Sequence, residues 1–231
     1  MCEGHHDNQD KWCIAWFEEP PANSGESRAV LVKDSMWQTG SVISISFLDG
    51  TETQRELVKK YSVEWTKHAN LTFSWEAAPE TDIRISFAGK GSWSVIGTTA
   101  RNVRPKTRPT MNFGWLTPDV AEEEARRVIL HEFGHALGLV HEHTSPFEAI
   151  QWNKAAVIAD LSGPPNSWDR ATIDRNMFDA YPANEVAGTK LDRASIMLYP
   201  IPRSWTTDGT SVGLNAELSP LDKQFIAKQY P

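Results

Sequence analysis

Residues 131 to 143 read HEFGHALGLVHEH and hold four of the chain's seven histidines. On an α-helix, positions i and i+4 stack on one face, so His131 and His135 can each aim a nitrogen at one point about 2.0 to 2.1 Å away, the distance at which imidazole binds zinc. Glu132 is turned by about 100° around the helix axis, which keeps it out of direct metal contact and able to hold a water and take its proton. Gly138 supplies a left-handed residue at which a helix can end. A sharp turn there brings His141 round as a third nitrogen, leaving a fourth position open, as hydrolytic zinc sites require.

Two other readings of these residues stand beside that one. H-E-x-x-H alone recurs by accident, and a partly buried helix with satisfied histidines carries the same letters. The eleven-residue spacing H-E-x-x-H-x-x-G-x-x-H is far more specific. A structural zinc would close its fourth position, usually with cysteine, and Cys2 and Cys13 are both far away in the N-terminal segment.

The elements that must position this site follow from periodicity. SVISISF (41–47) alternates and is β-branched, and it is followed by the turn pair Asp49-Gly50. TETQRELVKKYSVEWTKHA (51–69) opens with Thr51 and Gln54 at capping-box spacing and sets Leu57, Val58, Tyr61 and Trp65 on one face of a helix; His68, near its end, is expected on the surface. LTFSW (71–75), DIRISF (82–87), WSVIGTT (93–99) and TMNF (110–113) read as short strands of a mixed sheet. A second helix is expected from Pro118 to Leu137, with Val128, Ile129, Phe133, Ala136 and Leu137 as its buried face and acidic residues at its positive end. The last hundred residues are poorer in strands until SPLDKQFIAKQY (219–230), a capped closing helix.

Composition bounds what such a site can serve. At 231 residues, 40% apolar and 23% charged, the chain has room for one substantial domain. A formal charge of -7 argues against nucleic acid as partner, because phosphate binding needs a basic surface. No window reaches the roughly 18 to 20 apolar residues of a membrane span. The start, MCEGHHDNQDKW, has neither a basic nor an apolar targeting region. A cytoplasmic or non-classically secreted protein is expected, or a secreted one whose signal has been removed. EEPPANSGES (18–27) reads as a linker. Ahead of it, Cys2 or Cys13 could reach the metal as a latency switch, Cys2, His5, His6 and Cys13 could hold a second ion, and a frayed polar tail is the plain alternative. The ten tryptophans point to an aromatic core and aromatic cleft walls.

Here the sequence resembles the metzincin zinc peptidases, most closely the astacin-like ones. HEFGHALGLVHEH matches their extended zinc motif, and SIMLYP (195–200) is similar to their S-x-M-x-Y turn. ISFAGKGSWSVIG (85–97) resembles their strand-loop-strand segment at the upper rim of the cleft, MWQTGSVISISF (36–47) their first core strand, and LSPLDKQFIAKQYP their closing segment. The resemblance implies one catalytic zinc on His131, His135 and His141, Glu132 as general base, Met197 as the floor of the site and Tyr199 as a phenol that stabilises the oxyanion. It places Ser92, Trp93 and Ser94 on the edge strand that pairs with an extended substrate. Taken singly, Met197 and Tyr199 read as core packing.

The implied architecture is an α+β zincin-like fold. Its mixed twisted sheet and two long helices form an N-terminal subdomain, and a loop-rich C-terminal subdomain lies across a cleft. The expected division is an N-terminal extension or pro-like segment over 1–30 and one catalytic domain over 31–231, with 31–141 above the cleft and 142–231 below. The implied function is a monomeric zinc metalloendopeptidase acting on proteins or peptides. The alternative is a catalytically silent zinc-containing module that binds peptides. The chain departs from animal astacins in lacking cysteine throughout its body, and Ser92 stands at a family cysteine position. TSPFEAIQWN (144–153) replaces the acidic and arginine-rich run after the third histidine, so cleavage specificity does not transfer. Glu142 matches the glutamate that binds the mature N-terminal amine, but here about thirty residues precede the fold.

Overall fold

The structure is a computed structural model that describes residues 14–16, 35–77, 80–146, 149–164, 166–179 and 191–231. Cys2, His5, His6, Cys13 and the linker at 18–27 lie outside the described residues.

Six strands form one mixed sheet: β1 (Ile14–Trp16), β2 (Val42–Phe47), β3 (Thr72–Trp75), β4 (Ile83–Ser86), β5 (Ser92–Val95) and β6 (Met111–Phe113), in the order β1-β5-β6-β4-β2-β3. The β5–β6 pair is antiparallel and every other pair is parallel. The period of two sorts the side chains. Ile43, Ile45, Ile83, Ile85, Met111 and Phe113 are buried together with residues of two long helices. The intervening positions Ser44, Ser46, Arg84, Ser86 and Asn112 are polar. Arg84, fully buried among them, is satisfied by donating to the carbonyls of Thr81, Arg108 and Val103, which ties down the loop between β5 and β6.

Helix α1 (Glu52–Thr66) has the expected capping box between Thr51 and Gln54 and buries Val58, Tyr61 and Trp65, while Leu57 is half-buried. His68 lies just past its end and is half-buried. Helix α2 (Glu122–Ala136) buries Val128, Ile129, Phe133 and Ala136 in the same core. It begins later than Pro118 predicts. Val120 donates to the Thr117 carbonyl and closes a turn over Pro118, so the proline serves the turn, and three glutamates then open the helix without a side-chain cap. The WSVIGTT stretch also departs from expectation, because β5 ends at Val95 and Gly97–Asn102 forms a 3-10 turn. Gly97 has φ +51, and a Cβ there would lie 1.9 Å from the Ser35 carbonyl oxygen, so extended strand geometry stops at this point.

A second apolar cluster gathers Ile150, Val157, Leu161, Trp168, Ile173, Met177, Leu198, Tyr199, Ile201 and Trp205. It is built from α3 (Lys154–Ser162), α4 (Arg170–Ile173) and loops. Helix α3 has no counterpart among the expected elements. It buries only Val157 and Leu161, a stripe too narrow to stand out as a period, and its start is marked by Asn153 accepting from Ala156. The closing helix α5 (Pro220–Gln229) is capped by Ser219 and returns to the first cluster through Leu218, Ile226 and Tyr230.

Candidate metal centre

The end of α2 is fixed before any metal is considered. Leu139 N–H donates to the Gly134 carbonyl at 3.0 Å and Gly138 N–H to that of His135 at 2.8 Å, with Gly138 at φ +97: a Schellman close. The next two carbonyls are met from distant sequence. Trp37 Nε1 donates to Ala136 at 2.8 Å, and the Tyr230 hydroxyl donates to Leu137 at 2.6 Å. With these helix-end acceptors satisfied, the helix stops at one place and the chain turns toward His141.

That turn brings the three histidines together. One ring nitrogen from each of His131, His135 and His141 lies within 4.8 Å of the others, and all three residues are buried. His131 Nδ1 donates to the Ile196 carbonyl at 2.7 Å and His135 Nδ1 to that of Leu139 at 2.9 Å, which leaves both Nε2 atoms as lone-pair donors. The Nε2 atoms of His135 and His141 are 3.1 Å apart; a tetrahedral zinc with bonds of about 2.0 to 2.1 Å spaces its ligands by about 3.3 to 3.4 Å. Burial, with the neighbouring imidazoles adding to it, holds His131 and His141 well below the ordinary histidine pKa of 6.5, and burial brings His135 down to about 4. Neutral, convergent imidazoles are what a zinc ion needs, so the residues present fit the metal.

The other predicted residues surround this centre. Glu132 is buried beside the histidines and lines a hollow together with Trp115, Arg127, Val128, His131, Leu198 and Tyr199. Tyr199 packs its ring 4.3 Å from that of His141 and 6.0 Å from that of His131. Met197 lies directly under α2: a Cβ on Gly134 would come within 2.2 Å of its sulfur. The turn that carries Met197 also holds the histidine segment by backbone, since Glu142 N–H donates to the Met197 carbonyl at 3.0 Å. Ile196 and Met197 belong to the first apolar cluster, Leu198 and Tyr199 to the second. The site therefore sits where the two cores meet.

Ser92, Trp93 and Ser94 form β5, as expected, and Ser92 and Ser94 are buried. The edge they were expected to leave open is covered, because β1 pairs with β5 in parallel through Ile14↔Trp93, Ala15↔Ser94 and Trp16↔Val95. The reason lies in the N-terminal segment itself: Ile14–Trp16 is short, apolar and extended, and a sheet edge is a template for such a piece.

Several neighbours of the centre carried no recognisable signal. Arg127 stands one helical turn before His131 and is held by two bonds of 2.7 Å to Glu124. His143 donates from Nε2 to the Asn176 carbonyl at 2.7 Å and stacks at 5.3 Å on His141; burial lowers its pKa to about 4. Its place in the histidine run was the one available clue. Asp222, which accepts bonds from Ser195, Ile196 and Ser219, stands in the first turn of the closing helix, of which the sequence shows only that it is capped. Of the tryptophans, Trp37, Trp65, Trp168 and Trp205 are core residues, and Trp115 is a wall of the hollow.

Comparison with known proteins adds three findings. The family profile of Astacin, a peptidase family, matches residues 30–157. Among curated relatives, "Zinc metalloproteinase nas-30" of Caenorhabditis elegans is 26% identical over 60% of this chain, and "Serralysin B" of Dickeya chrysanthemi is 32% identical over 48% of it. The matched stretches span only 17% and 26% of those two proteins' length. A solved structure of myroilysin superposes with a TM-score of 0.83 at 42% identity, covering 87% of this chain and 97% of that one. A hatching enzyme from Oryzias latipes shares the fold at a TM-score of 0.57 and 16% identity, covering 86% of this chain and 95% of that one.

Proposed function

The chain belongs to the astacin family of zinc metalloendopeptidases, whose members take one catalytic zinc; from that premise we propose that it hydrolyses peptide bonds of proteins or peptides, with His131, His135 and His141 holding the metal. The observation that carries this reading is the convergence of three buried imidazoles beside a buried glutamate. Zinc, when bound, polarises the scissile carbonyl and brings the pKa of a water toward neutrality. Glu132 takes the proton of the attacking water at a carboxylate oxygen and delivers it to the nitrogen of the leaving amine. Tyr199 donates its phenol to the developing oxyanion. Met197 floors the site, its thioether seated against Gly134, which has no side chain to push it away.

The test compares the parent and Glu132→Ala on a mixed peptide library read by mass spectrometry, with zinc measured in both. One zinc per chain in each is expected, with cleavage by the variant lower by about 10²- to 10⁴-fold. Equal cleavage would sink the assignment of the base. Zinc without products from either protein would instead favour a peptide-binding module.

Substrate is proposed to lie extended along β5, against Ser92, Trp93 and Ser94, and residues 1–30 to act as a pro-like segment ahead of a catalytic domain over 31–231. That domain is divided at the third histidine into 31–141 and 142–231. The β1–β5 pairing supports the pro-like role, since it covers the strand edge a substrate would use. Deleting residues 1–28 is expected to raise library cleavage; unchanged activity removes the pro-like role. The active species is proposed to be a monomer, which sedimentation during turnover would check.

A further inference from the structure

His131 differs from an ordinary buried histidine in what stands behind its acceptor. Its Nδ1 donates to the Ile196 carbonyl at 2.7 Å. The same peptide group carries the Met197 N–H, which donates to Ser195 Oγ at 3.0 Å. Ser195 Oγ donates in turn to Asp222 Oδ1 at 2.7 Å. Asp222 is buried, and its other oxygen accepts from Ile196 N–H at 2.8 Å and from Ser219 N–H at 2.9 Å. Every bond along the path points the same way, from imidazole to carboxylate, with one peptide and one hydroxyl between.

We infer that Asp222 and Ser195 are positioning residues for zinc: through the Ile196–Met197 peptide they polarise the carbonyl that holds His131, fixing its tautomer and raising the donor strength of its Nε2. Metal-binding histidines commonly hand their second N–H directly to a carboxylate, and the loss of that partner costs about 10- to 100-fold in metal affinity. Here the carboxylate acts at a distance. Hydrogen bonds in series strengthen one another because each donor is polarised by the next acceptor. Geometry fixes the accepting role of Asp222: two backbone N–H groups and one hydroxyl meet its two oxygens. Burial, with the Asp192 charge adding to it, raises the carboxyl's pKa above its ordinary value, and the bonds from Ile196, Ser195 and Ser219 offset that only in part.

The inference rests on the assignment of His131 as a ligand, and the experiment separates the two. Zinc affinity is measured on the full chain by competition with a chromogenic chelator, alongside Tm. Asp222→Asn keeps the shape but turns an amide toward Ser195, reversing the direction of the path, and Ser195→Ala cuts it. Both are expected to weaken zinc binding by about 10-fold or more, while Ser195→Thr, which keeps the hydroxyl, stays within about twofold of the parent. Thr51→Ala is the control. It removes the side-chain cap of α1 and lowers Tm without touching the path, so its zinc affinity is expected to match the parent's. Unchanged affinity in Ser195→Ala, a loss confined to Asp222→Asn, or an equal loss in Thr51→Ala overturns the relay. Retention of zinc by His131→Ala overturns the ligand assignment, and the relay with it.

Discussion

Residues 131–141 and residues 195–199 meet at one point by opposite means. The first stretch carries its pattern in its own periodicity, two histidines four apart on α2, a glycine at φ +97 and a third histidine past the turn, and distant residues such as Trp37 and Tyr230 only secure the helix end. The second has no such repeat. It is held by residues 27 to 65 positions away, through Asp222 on α5 and His131 on α2, and it straddles the two apolar clusters. Local geometry thus places the metal ligands, and tertiary contacts place the groups that surround them.

Predictions can break this comparison in order of effect. If the second stretch acts in the chemistry, Tyr199→Phe lowers kcat by about 10²- to 10³-fold while KM and zinc content hold, since one oxyanion donor is worth that much; steady-state kinetics on a library-derived peptide reads it. A fall in zinc content instead would make Tyr199 a packing residue. If the first stretch depends on its hinge, Gly138→Ala destabilises by about 1 to 3 kcal/mol and weakens zinc binding, because an alanine at positive φ is strained and its Cβ would lie 2.6 Å from the Met36 sulfur. Urea unfolding and chelator competition measure both.

The contact between the stretches is probed by Gly134→Ala, whose Cβ would meet the Met197 sulfur at 2.2 Å. A loss of about 1 to 3 kcal/mol is expected from overpacking, and combining it with Met197→Ala should cost less than the two single losses added together. Strict additivity would show that the two residues do not share space. The smallest effect concerns Glu142. Burial first, then the charges of Asp222 and Asp192, raise its pKa from 4.5 to about 7 in the folded chain, against a bond from Asp192 N–H that lowers it. The folded state then holds a proton that the unfolded chain has released. Its contribution is complete below about pH 4.5 and is lost as pH rises toward about 7. The carboxyl is half-buried, so about 1 kcal/mol is expected after solvent screening. Tm of the zinc-loaded protein between pH 5 and 8 should fall less steeply in Glu142→Gln.

The same contrast explains what could be read without coordinates. The zinc motif, α1 with its capping box, most of the strands and the closing helix are short-range patterns, and they stand where the sequence puts them. Arg127 carries no such pattern, and the place of Asp222 in a helix cap says nothing of its bonds to Ser195 and Ile196, because what matters there is which backbone passes nearby. Helix α3 was hidden by its narrow buried stripe, and the start of α2 by a proline that serves a turn. The covered edge of β5 was hidden because three residues of extended chain look the same whether they are paired or not.

The β1–β5 pairing has a consequence in concentrations. Residues 17–34 connect β1 along the chain to the next described residues, so β1 meets the β5 edge as a tethered competitor. A tether gives its segment an effective concentration, on the order of millimolar where it is short and flexible. A peptide arriving from solution must outbid that standing local supply, whatever the amount of enzyme present. A single cut between residues 16 and 35 would turn the contest into an ordinary bimolecular one, in which dilution alone decides when the edge comes free.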